Sequence, residues 1–223
     1  MSTTFIIERL LALPDVSNVT ELQPGLLDVQ RSGKPSILVT VSDERSVNIE
    51  NVAQVLERWP NVNAVVVAGK DRHVYGDARR YGQARNVAVM VLRDFCGALS
   101  HGQEGKWALY EQKWKRYARE SLIQHPQVDS VEYECESVLL VKRAQLGDVR
   151  VAPVEIYTLG AADFFKIRSG HPQIDAILNA SNYRSITLGA IERGAGLGIG
   201  VFNLSGIYKA LYRDQANFVS SGD

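Results

Sequence analysis

The chain has 223 residues, of which 45% are hydrophobic, 22% are charged and 8% are aromatic. This composition is typical of a globular protein with one large or two small domains, and it excludes a disordered chain, a collagen-like chain and a disulfide scaffold. Lys plus Arg equals Asp plus Glu at 25 each, so the net charge does not attract nucleic acid, anionic lipid or acidic substrates. Binding to nucleic acid would therefore depend on a local group of basic residues.

The first half of the sequence predicts an ordered series of helices and strands. Residues 5–13 have helical apolar spacing that ends at Pro14, and three β-branched runs follow, VSNVTEL, GLLDVQR and SILVTVS. Residues 48–59 are predicted to form an amphipathic helix closed by Pro60. Next come the buried strand NAVVVA, a helix over residues 77–85, the buried strand VAVMVL and a short helix. The order α-β-β-β-α-β-α-β predicts an α/β unit in which helices flank a mixed sheet.

The second half of the sequence repeats the first when the chain is shifted by 112 positions. Residues 59–99 align without a gap on residues 171–211 with ten identities, where average composition gives roughly two or three. Pro60/Pro172, Gly82/Gly194 and Leu99/Leu211 are among these identities. Because the register continues through loops, we interpret the chain as two tandem copies of one α/β unit. The polar, Gly-rich segment HGQEG predicts a boundary between a first repeat over residues 1–103 and a second over residues 104–223.

No segment predicts export or membrane insertion. Residues 1–7 lack the basic region and apolar run of a signal peptide, and the longest apolar runs are far shorter than the about 20 residues that a membrane span needs. Cys96 and Cys135 lie in unrelated contexts, without the spacing of metal ligands. We therefore expect free thiols in a reducing cytoplasm and no membrane partner.

Each copy ends in a strand, a helix rich in small residues, a second strand and a short helix. The two segments read NAVVVAGKDRHVYGDARRYGQARNVAVMVLRDFCGAL and DAILNASNYRSITLGAIERGAGLGIGVFNLSGIYKAL. Together with the preceding elements, this order resembles the restriction endonuclease-like fold, the PD-(D/E)XK superfamily, and within it the Mrr-type branch. The resemblance implies an Asp on the second strand and a Glu on the third, with a Lys two residues after the Glu. Such a set holds Mg²⁺ and orients a water, because a hard divalent cation needs clustered carboxylate oxygens.

Each copy lacks a different part of this catalytic set. In the first copy Asp28 stands on the second strand, but residues 40–42 read Thr-Val-Ser at the third-strand position of Glu-x-Lys. In the second copy residues 155–157 read Glu-Ile-Tyr, and Leu140 stands at the position equivalent to Asp28. A metal site would therefore depend on Asp28 in the first copy or on Glu155 in the second.

A remnant of the catalytic set remains a hypothesis for the second copy. Glu134 and Glu136 could face Glu155 across the hairpin, and Lys166 on the following helix could replace the missing Lys. The alternative is that the carboxylates of the segment ECE line the solvent face of a strand. The sequence therefore leaves open a catalytic set of Glu136, Glu155 and Lys166.

Basic residues are concentrated in the first copy, between its last two strands. The candidate nucleic-acid-binding residues are Lys70, Arg72, Arg79, Arg80 and Arg85. They predict salt-sensitive contacts with phosphates, and the alternative is a solvated helix face.

Two further segments give structural predictions. The segment KWALYEQKWKRYAR, residues 106–119, predicts a helix that buries an aromatic stripe against a neighbouring domain or stacks on bases. The segment GAGLGIG follows a helix and precedes a strand, so it predicts a tight turn rather than a phosphate loop.

These observations lead to one expectation and two alternatives. We expect a noncatalytic nuclease-fold protein that serves as a nucleic-acid-binding or scaffold subunit, and the resemblance implies a prokaryotic restriction or antiviral defence system. Its partners would be nucleic acid or the protein subunits of a larger complex, and it would need no cofactor. The first alternative is a nuclease that uses Mg²⁺ in the second repeat. The second alternative is a pair of α/β domains that senses a nucleotide.

Overall fold

The computed structural model describes residues 3–69, 72–180, 185–214 and 218–219. The chain divides into two compact units, Met1–Gln112 and Lys113–Asp223. The boundary therefore falls after Gln112 and not after residue 103 as predicted. The intervening residues belong to unit 1 because Trp107 and Ala108 are buried in its core.

Unit 1 contains a five-stranded mixed sheet. The strands of unit 1 are β1 (Val16–Gln23), β2 (Leu26–Arg31), β3 (Lys34–Ser42), β4 (Ser46–Val47), β5 (Ala64–Val67), β6 (His73–Val74) and β7 (Ala88–Val91). Its helices are α1 (Thr3–Leu11), α2 (Ile49–Arg58), α3 (Gly76–Gln83) and α4 (Leu92–His101), followed by a 3-10 turn at Trp107–Leu109. The sheet order is β1-β2-β3-β5-β7, antiparallel from β1 to β3 and parallel from β3 to β7. The strands β4 and β6 form a separate short parallel pair.

Unit 2 contains the same elements in the same order. Its strands are β8 (Val128–Cys135), β9 (Val138–Arg143), β10 (Val149–Val154), β11 (Thr158–Leu159), β12 (Ala176–Asn179), β13 (Ser185–Ile186) and β14 (Gly200–Phe202). Its helices are α5 (Lys113–Ile123), α6 (Ala161–Gly170), α7 (Leu188–Gly196) and α8 (Leu204–Ala210). The sheet order is β8-β9-β10-β12-β14, with β11 and β13 as the separate short pair. Within the described ranges, no helix combines the length and apolar character needed to cross a membrane.

The shift of 112 positions seen in the sequence also relates the bounds of the elements. It converts β2 into β9, α2 into α6 and β5 into β12 without any change of length. The predicted fold class, two tandem α/β copies with a mixed sheet flanked by helices, is therefore confirmed.

Helices cover both faces of each sheet where its parallel strands lie. In unit 1, α1 and α4 contribute Ile6, Leu10 and Phe95 to one core, and α2 and α3 contribute Val52 and Ala78 to the other. The strand β5 lies between the two cores and is buried at every position, which explains why its sequence is apolar throughout. In unit 2, α5 and α8 cover one face and α6 and α7 cover the other.

One glycine common to both copies allows a helix to lie against a strand. A Cβ atom on Gly82 in α3 would lie 2.4 Å from Cγ2 of Val89 in β7. A Cβ atom on Gly194 in α7 would lie 2.5 Å from the carbonyl oxygen of Ile199. Interiors are close-packed, so neither position has room for a larger side chain. The segment GAGLGIG is accordingly a turn from α7 to β14, in which Gly198 has a φ of +70°.

Residues 106–119 do not form one helix, which corrects the prediction. Trp107–Leu109 is a 3-10 turn, Tyr110 has an extended backbone, and α5 begins only at Lys113. The guanidinium of Arg79 donates a hydrogen bond to the carbonyl of Tyr110 at 2.7 Å, which holds this segment on unit 1. The predicted aromatic stripe is therefore divided between the two units.

A buried arginine ends the second strand of unit 1. Arg31 donates hydrogen bonds to the carbonyl of Pro35 at 2.7 Å and to the two carboxylate oxygens of Glu104 at 2.7 and 2.8 Å. Its guanidinium lies 4.9 Å from the centre of the Trp107 ring. These hydrogen bonds lower the pKa of Glu104. Arg31 therefore joins the β2–β3 hairpin to the chain that follows α4.

Arg143 occupies the equivalent place in unit 2. It donates hydrogen bonds to the carbonyl of Gly147 at 2.6 and 2.8 Å, to that of Arg213 at 2.7 Å and to that of Leu211 at 3.3 Å. Its guanidinium lies 5.5 Å from the centre of the Phe218 ring. Burial lowers the pKa of Arg143. Both units therefore use a guanidinium to bind a hairpin and the chain after the last helix.

We expect Arg143→Met to destabilise unit 2 by about 3 kcal/mol, because it leaves three carbonyl groups without their donor. The measurement is the urea-induced unfolding of the full chain. Arg150→Met is the matched control, since Arg150 on β10 forms a half-exposed ion pair with Glu134 that is worth less than about 1 kcal/mol. Equal losses of stability in the two variants would show that the buried arginine has no special role.

Candidate functional site

The resemblance to the nuclease fold points to the face of β2 and β3 in unit 1 on which Asp28 lies. Asp28 on β2 lies directly opposite Leu38 on β3, so the two side chains share one face of the sheet. Oδ2 of Asp28 accepts a hydrogen bond from the Gln30 amide at 3.2 Å. The carboxylate of Asp28 therefore stands between a neutral amide and an apolar side chain.

The third-strand residues of unit 1 make hydrogen bonds that serve the fold. Thr40 is 1% exposed, and its hydroxyl donates to the carbonyl of Ala64 at 3.4 Å. Oγ of Ser42 accepts a hydrogen bond from the backbone N–H of Glu44 at 3.3 Å. Since Thr40 and Ser42 are neutral, the third strand supplies neither a second carboxylate nor a cation beside Asp28.

An ion pair occupies the corresponding face of unit 2. Leu140 takes the place of Asp28 and lies opposite Arg150 on β10. Nε of Arg150 donates to both carboxylate oxygens of Glu134 at 3.0 Å. Both side chains are 38% exposed, so the pair is a surface ion pair. The carboxylate of Glu134 is thus engaged by a cation on the outer face of the sheet.

Glu155 lies outside the third strand of unit 2, which corrects its predicted placement. The strand β10 ends at Val154, and Glu155 follows as an exposed residue. The shift of 112 relates it to Asp43, which also follows the end of its strand. The side-chain amide of Asn179 accepts from the N–H of Ile156 at 3.3 Å and donates to its carbonyl at 2.8 Å. These two hydrogen bonds hold the backbone after β10 in place of further strand pairing.

The other two members of the predicted catalytic set lie on different elements. Glu136 stands in the turn between β8 and β9, and Lys166 is an exposed residue of α6. Both β8 and β10 are antiparallel to β9, so they run in the same direction. Glu136 and Glu155 therefore stand at the same edge of the sheet, whereas Lys166 belongs to a helical layer.

The predicted nucleic-acid-binding residues divide into two groups. Arg72 donates hydrogen bonds to the carbonyls of Asp43 and Glu44, and Arg79 donates to the carbonyl of Tyr110. Arg80 and Arg85 are exposed, and the guanidinium of Arg85 lies 3.6 Å from the centre of the Tyr81 ring. Lys70 lies outside the described residues. The guanidinium groups of Arg72 and Arg79 therefore bind the chain itself, and among the described residues of this group the exposed cations are Arg80 and Arg85.

The turn between β8 and β9 carries a cluster of reactive side chains that sequence reasoning missed. Oγ of Ser137 lies 3.1 Å from Nε2 of His171, 3.2 Å from Oε1 of Glu136 and 3.9 Å from Sγ of Cys135. Burial is the main cause that raises the pKa of the Cys135 thiol. Lys115 is 8% exposed, and its Nζ donates to the carbonyl of Glu136 at 3.1 Å. No sequence motif indicates this cluster, because 34 residues separate Ser137 from His171.

A groove of about 570 Å³ lies between α5 and α8 of unit 2. Its walls include Tyr117, Ser121, Tyr208 and Lys209, and the Tyr208 hydroxyl donates to the carbonyl of Ser121. This volume is within the range of small-molecule sites. The hydroxyl, carboxylate and ammonium groups of its walls would suit a polar ligand.

His125 is buried beside this groove and connects α5 to α8. It is 1% exposed, its Nδ1 accepts from the N–H of Gln127 at 3.2 Å, and its Nε2 lies 3.0 Å from the carbonyl of Tyr208. Both nitrogens are satisfied when the ring is neutral and carries its proton on Nε2. Burial is the main cause that lowers the pKa of His125, and the charge of Arg143 adds to this effect.

We expect the stability of unit 2 to fall as the pH drops below about 6.5, where histidine in the unfolded chain gains its proton. The sign follows from the lowered pKa, because the unfolded state binds the proton before the folded state does. His125→Gln should remove this part of the pH dependence of the thermal midpoint. His101→Gln, which changes an exposed residue of α4, should leave it unchanged. A pH dependence that is equal in both variants would contradict the assignment to His125.

No protein-family model, no curated protein and no solved structure matches the chain. The likeness to the restriction endonuclease-like fold therefore rests on the order of the elements and on the repeated apolar pattern. Only the residues of the chain itself indicate what the protein does.

Proposed function

We propose that the protein is a noncatalytic scaffold, built from two nuclease-like repeats, that binds protein subunits of a larger complex. The observation that carries the proposal is which residues lie on two equivalent sheet faces, one formed by β2 and β3 and the other by β9 and β10. In unit 1, Asp28 has Leu38 as its neighbour on β3, and in unit 2, Leu140 has Arg150 as its neighbour on β10.

The chemistry of magnesium supports this proposal. Mg²⁺ requires oxygen ligands in near-octahedral geometry and is usually held by one or two carboxylates with waters or phosphates. Asp28 supplies one carboxylate without a third-strand partner. At the equivalent place in unit 2, Leu140 has no ligand atom, and the carboxylate of Glu134 is already paired with the guanidinium of Arg150. Each copy has thus replaced a different part of the catalytic set while keeping the fold.

Exposed apolar side chains of unit 2 favour a protein partner. Tyr157, Phe165 and Leu188 are 76%, 48% and 68% exposed, and they belong to α6, α7 and the segment that precedes α6. The equivalent residues of unit 1 are Arg45, Ala53 and Gly76. Because α6 and α7 pack against each other, Phe165 and Leu188 lie on adjoining helices, and an apolar patch on adjoining helices would favour an interaction surface.

We expect no cleavage of single-stranded or double-stranded DNA or of RNA by the full chain in the presence of Mg²⁺. The measurement is gel electrophoresis of labelled substrates, with and without a chelator. Mg²⁺-dependent cleavage that is lost in Glu155→Gln and kept in the control Glu57→Gln would overturn the proposal. That result would favour the nuclease alternative, in which Glu136, Glu155 and Lys166 act together.

Nucleic-acid binding is the second candidate function, and the exposed Arg80 and Arg85 on and after α3 favour it. If these residues contact phosphates, the variant Arg80→Ala/Arg85→Ala should reduce the slope of log affinity against log salt by about 2. The control is Arg9→Ala/Arg93→Ala, which removes two exposed arginines of α1 and α4. The measurement is fluorescence anisotropy of duplex DNA from about 50 mM salt upward. Absence of binding at 50 mM salt, or an equal effect of both double variants, would exclude this surface.

A further inference from the structure

Four donor atoms meet at the turn between β8 and β9 of unit 2. They belong to the consecutive residues Cys135, Glu136 and Ser137 and to His171, which follows α6. The Ser137 hydroxyl oxygen lies 3.1 Å from the histidine nitrogen, 3.2 Å from the carboxylate oxygen and 3.9 Å from the sulfur. A ring nitrogen of His171 also lies within 4.8 Å of the sulfur of Cys135. The turn therefore presents sulfur, nitrogen and oxygen donors within a small volume.

These donors match the ligands that zinc prefers. Zn²⁺ binds cysteine sulfur at about 2.3 Å, histidine nitrogen at about 2.0 Å and carboxylate oxygen at about 2.1 Å, in tetrahedral geometry. Such bond lengths place the ligand atoms about 3.3–3.8 Å from one another. The histidine nitrogen, the carboxylate oxygen and the sulfur lie 3.1, 3.2 and 3.9 Å from the Ser137 oxygen. The sulfur also lies within 4.8 Å of a ring nitrogen of His171, so rotations of these side chains bring them to zinc-bond lengths around an ion at this point.

We propose that this turn binds one Zn²⁺ ion through Sγ of Cys135, Nε2 of His171 and the carboxylate of Glu136, with a water as the fourth ligand. The ion takes the place at which the Ser137 hydroxyl now lies, so this hydroxyl and the Glu136 carboxylate rotate when it binds. The thiol loses its proton to solvent as the sulfur–zinc bond forms, and no oxidation or reduction occurs. The ion then joins the β8–β9 hairpin to the end of α6.

The surroundings of the turn fit this role. Cys135 is buried, and Lys115 holds the backbone of the turn through its hydrogen bond to the carbonyl of Glu136. A backbone held in this way limits the reorganisation that metal binding requires. Unit 1 provides an internal comparison. The shift of 112 relates Cys135, Glu136, Ser137 and His171 to Gln23, Pro24, Gly25 and Trp59, none of which is a usual zinc ligand. The proposal therefore concerns unit 2 and predicts one ion per chain.

The test is titration of the reduced, tag-free full chain with Zn²⁺ in competition with a chromophoric chelator. We expect a stoichiometry of one and an increase of the thermal midpoint, because an ion that binds the folded state stabilises it. With Co²⁺ as the spectroscopic probe, we expect a sulfur-to-metal charge-transfer band in the near ultraviolet. Cys135→Ser and His171→Gln should each weaken binding by at least the roughly 10–100-fold that loss of an outer partner costs.

Two matched variants keep the test specific. Cys96→Ser removes the other thiol of the chain, and His101→Gln removes an exposed histidine of α4. Both should bind Zn²⁺ as the unmodified chain does. Absence of binding at about 100 µM Zn²⁺ would overturn the proposal, and so would a charge-transfer band that persists in Cys135→Ser or disappears in Cys96→Ser.

A second measurement leaves the residues of the site unchanged, so it tests the proposal even if Cys135→Ser does not fold. In Cys96→Ser the single remaining thiol is that of Cys135, so its alkylation rate reports on this site alone. Zn²⁺ should slow this alkylation at least tenfold, and a chelator should restore the original rate. An unchanged rate at saturating Zn²⁺ would show that Cys135 is not a ligand.

Discussion

In each unit one buried guanidinium joins a hairpin of the sheet to the chain after the last helix, and the rest of the fold depends on this contact. A buried charge is costly unless its hydrogen bonds are satisfied, so Arg31 and Arg143 each require acceptors on several sides. The acceptors come from the hairpin and from the chain after the last helix. The contact therefore fixes the hairpin and the path of the following segment at once. In unit 1 it keeps Glu104 and Trp107 with the first sheet, which explains why the boundary between the units lies after Gln112.

The two copies share their packing and differ in the chemistry of their surfaces. Gly82 and Gly194 keep a helix against a strand in both units, and any larger side chain would collide with its neighbours. Positions on the outer sheet face and in the first hairpin turn are not constrained in this way and have diverged. The divergent pairs include Asp28/Leu140 and Leu38/Arg150 on the sheet and Gly25/Ser137 in the turn, and Trp59/His171 at the ends of α2 and α6 diverge as well. Function is therefore expected at these positions, and it is expected to differ between the copies.

The pattern of apolar residues correctly predicts strands that are buried on both faces, such as β5 and β12. It predicts the wrong structure where side-chain hydrogen bonds hold the backbone in another conformation. The resemblance to the nuclease fold places Glu155 on the third strand, yet the buried side chain of Asn179 binds Ile156 and the strand ends at Val154. Residues 106–119 have helical spacing, but hydrogen bonds to unit 1 hold Tyr110 in an extended conformation. Neither bond is visible in a pattern of apolar residues.

The sequence by itself determined the repeat, the order of the elements and the two layers of each core, because these follow from periodic burial and from a register that holds over the whole chain. Only the tertiary structure decided which polar groups meet. It showed that Arg72 and Arg79 bind backbone carbonyls, so these two guanidinium groups are used by the fold. It also brought His171 to the turn at Ser137. Such contacts join residues far apart in the chain, and they depend on distances of a few ångströms that no spacing in the sequence encodes.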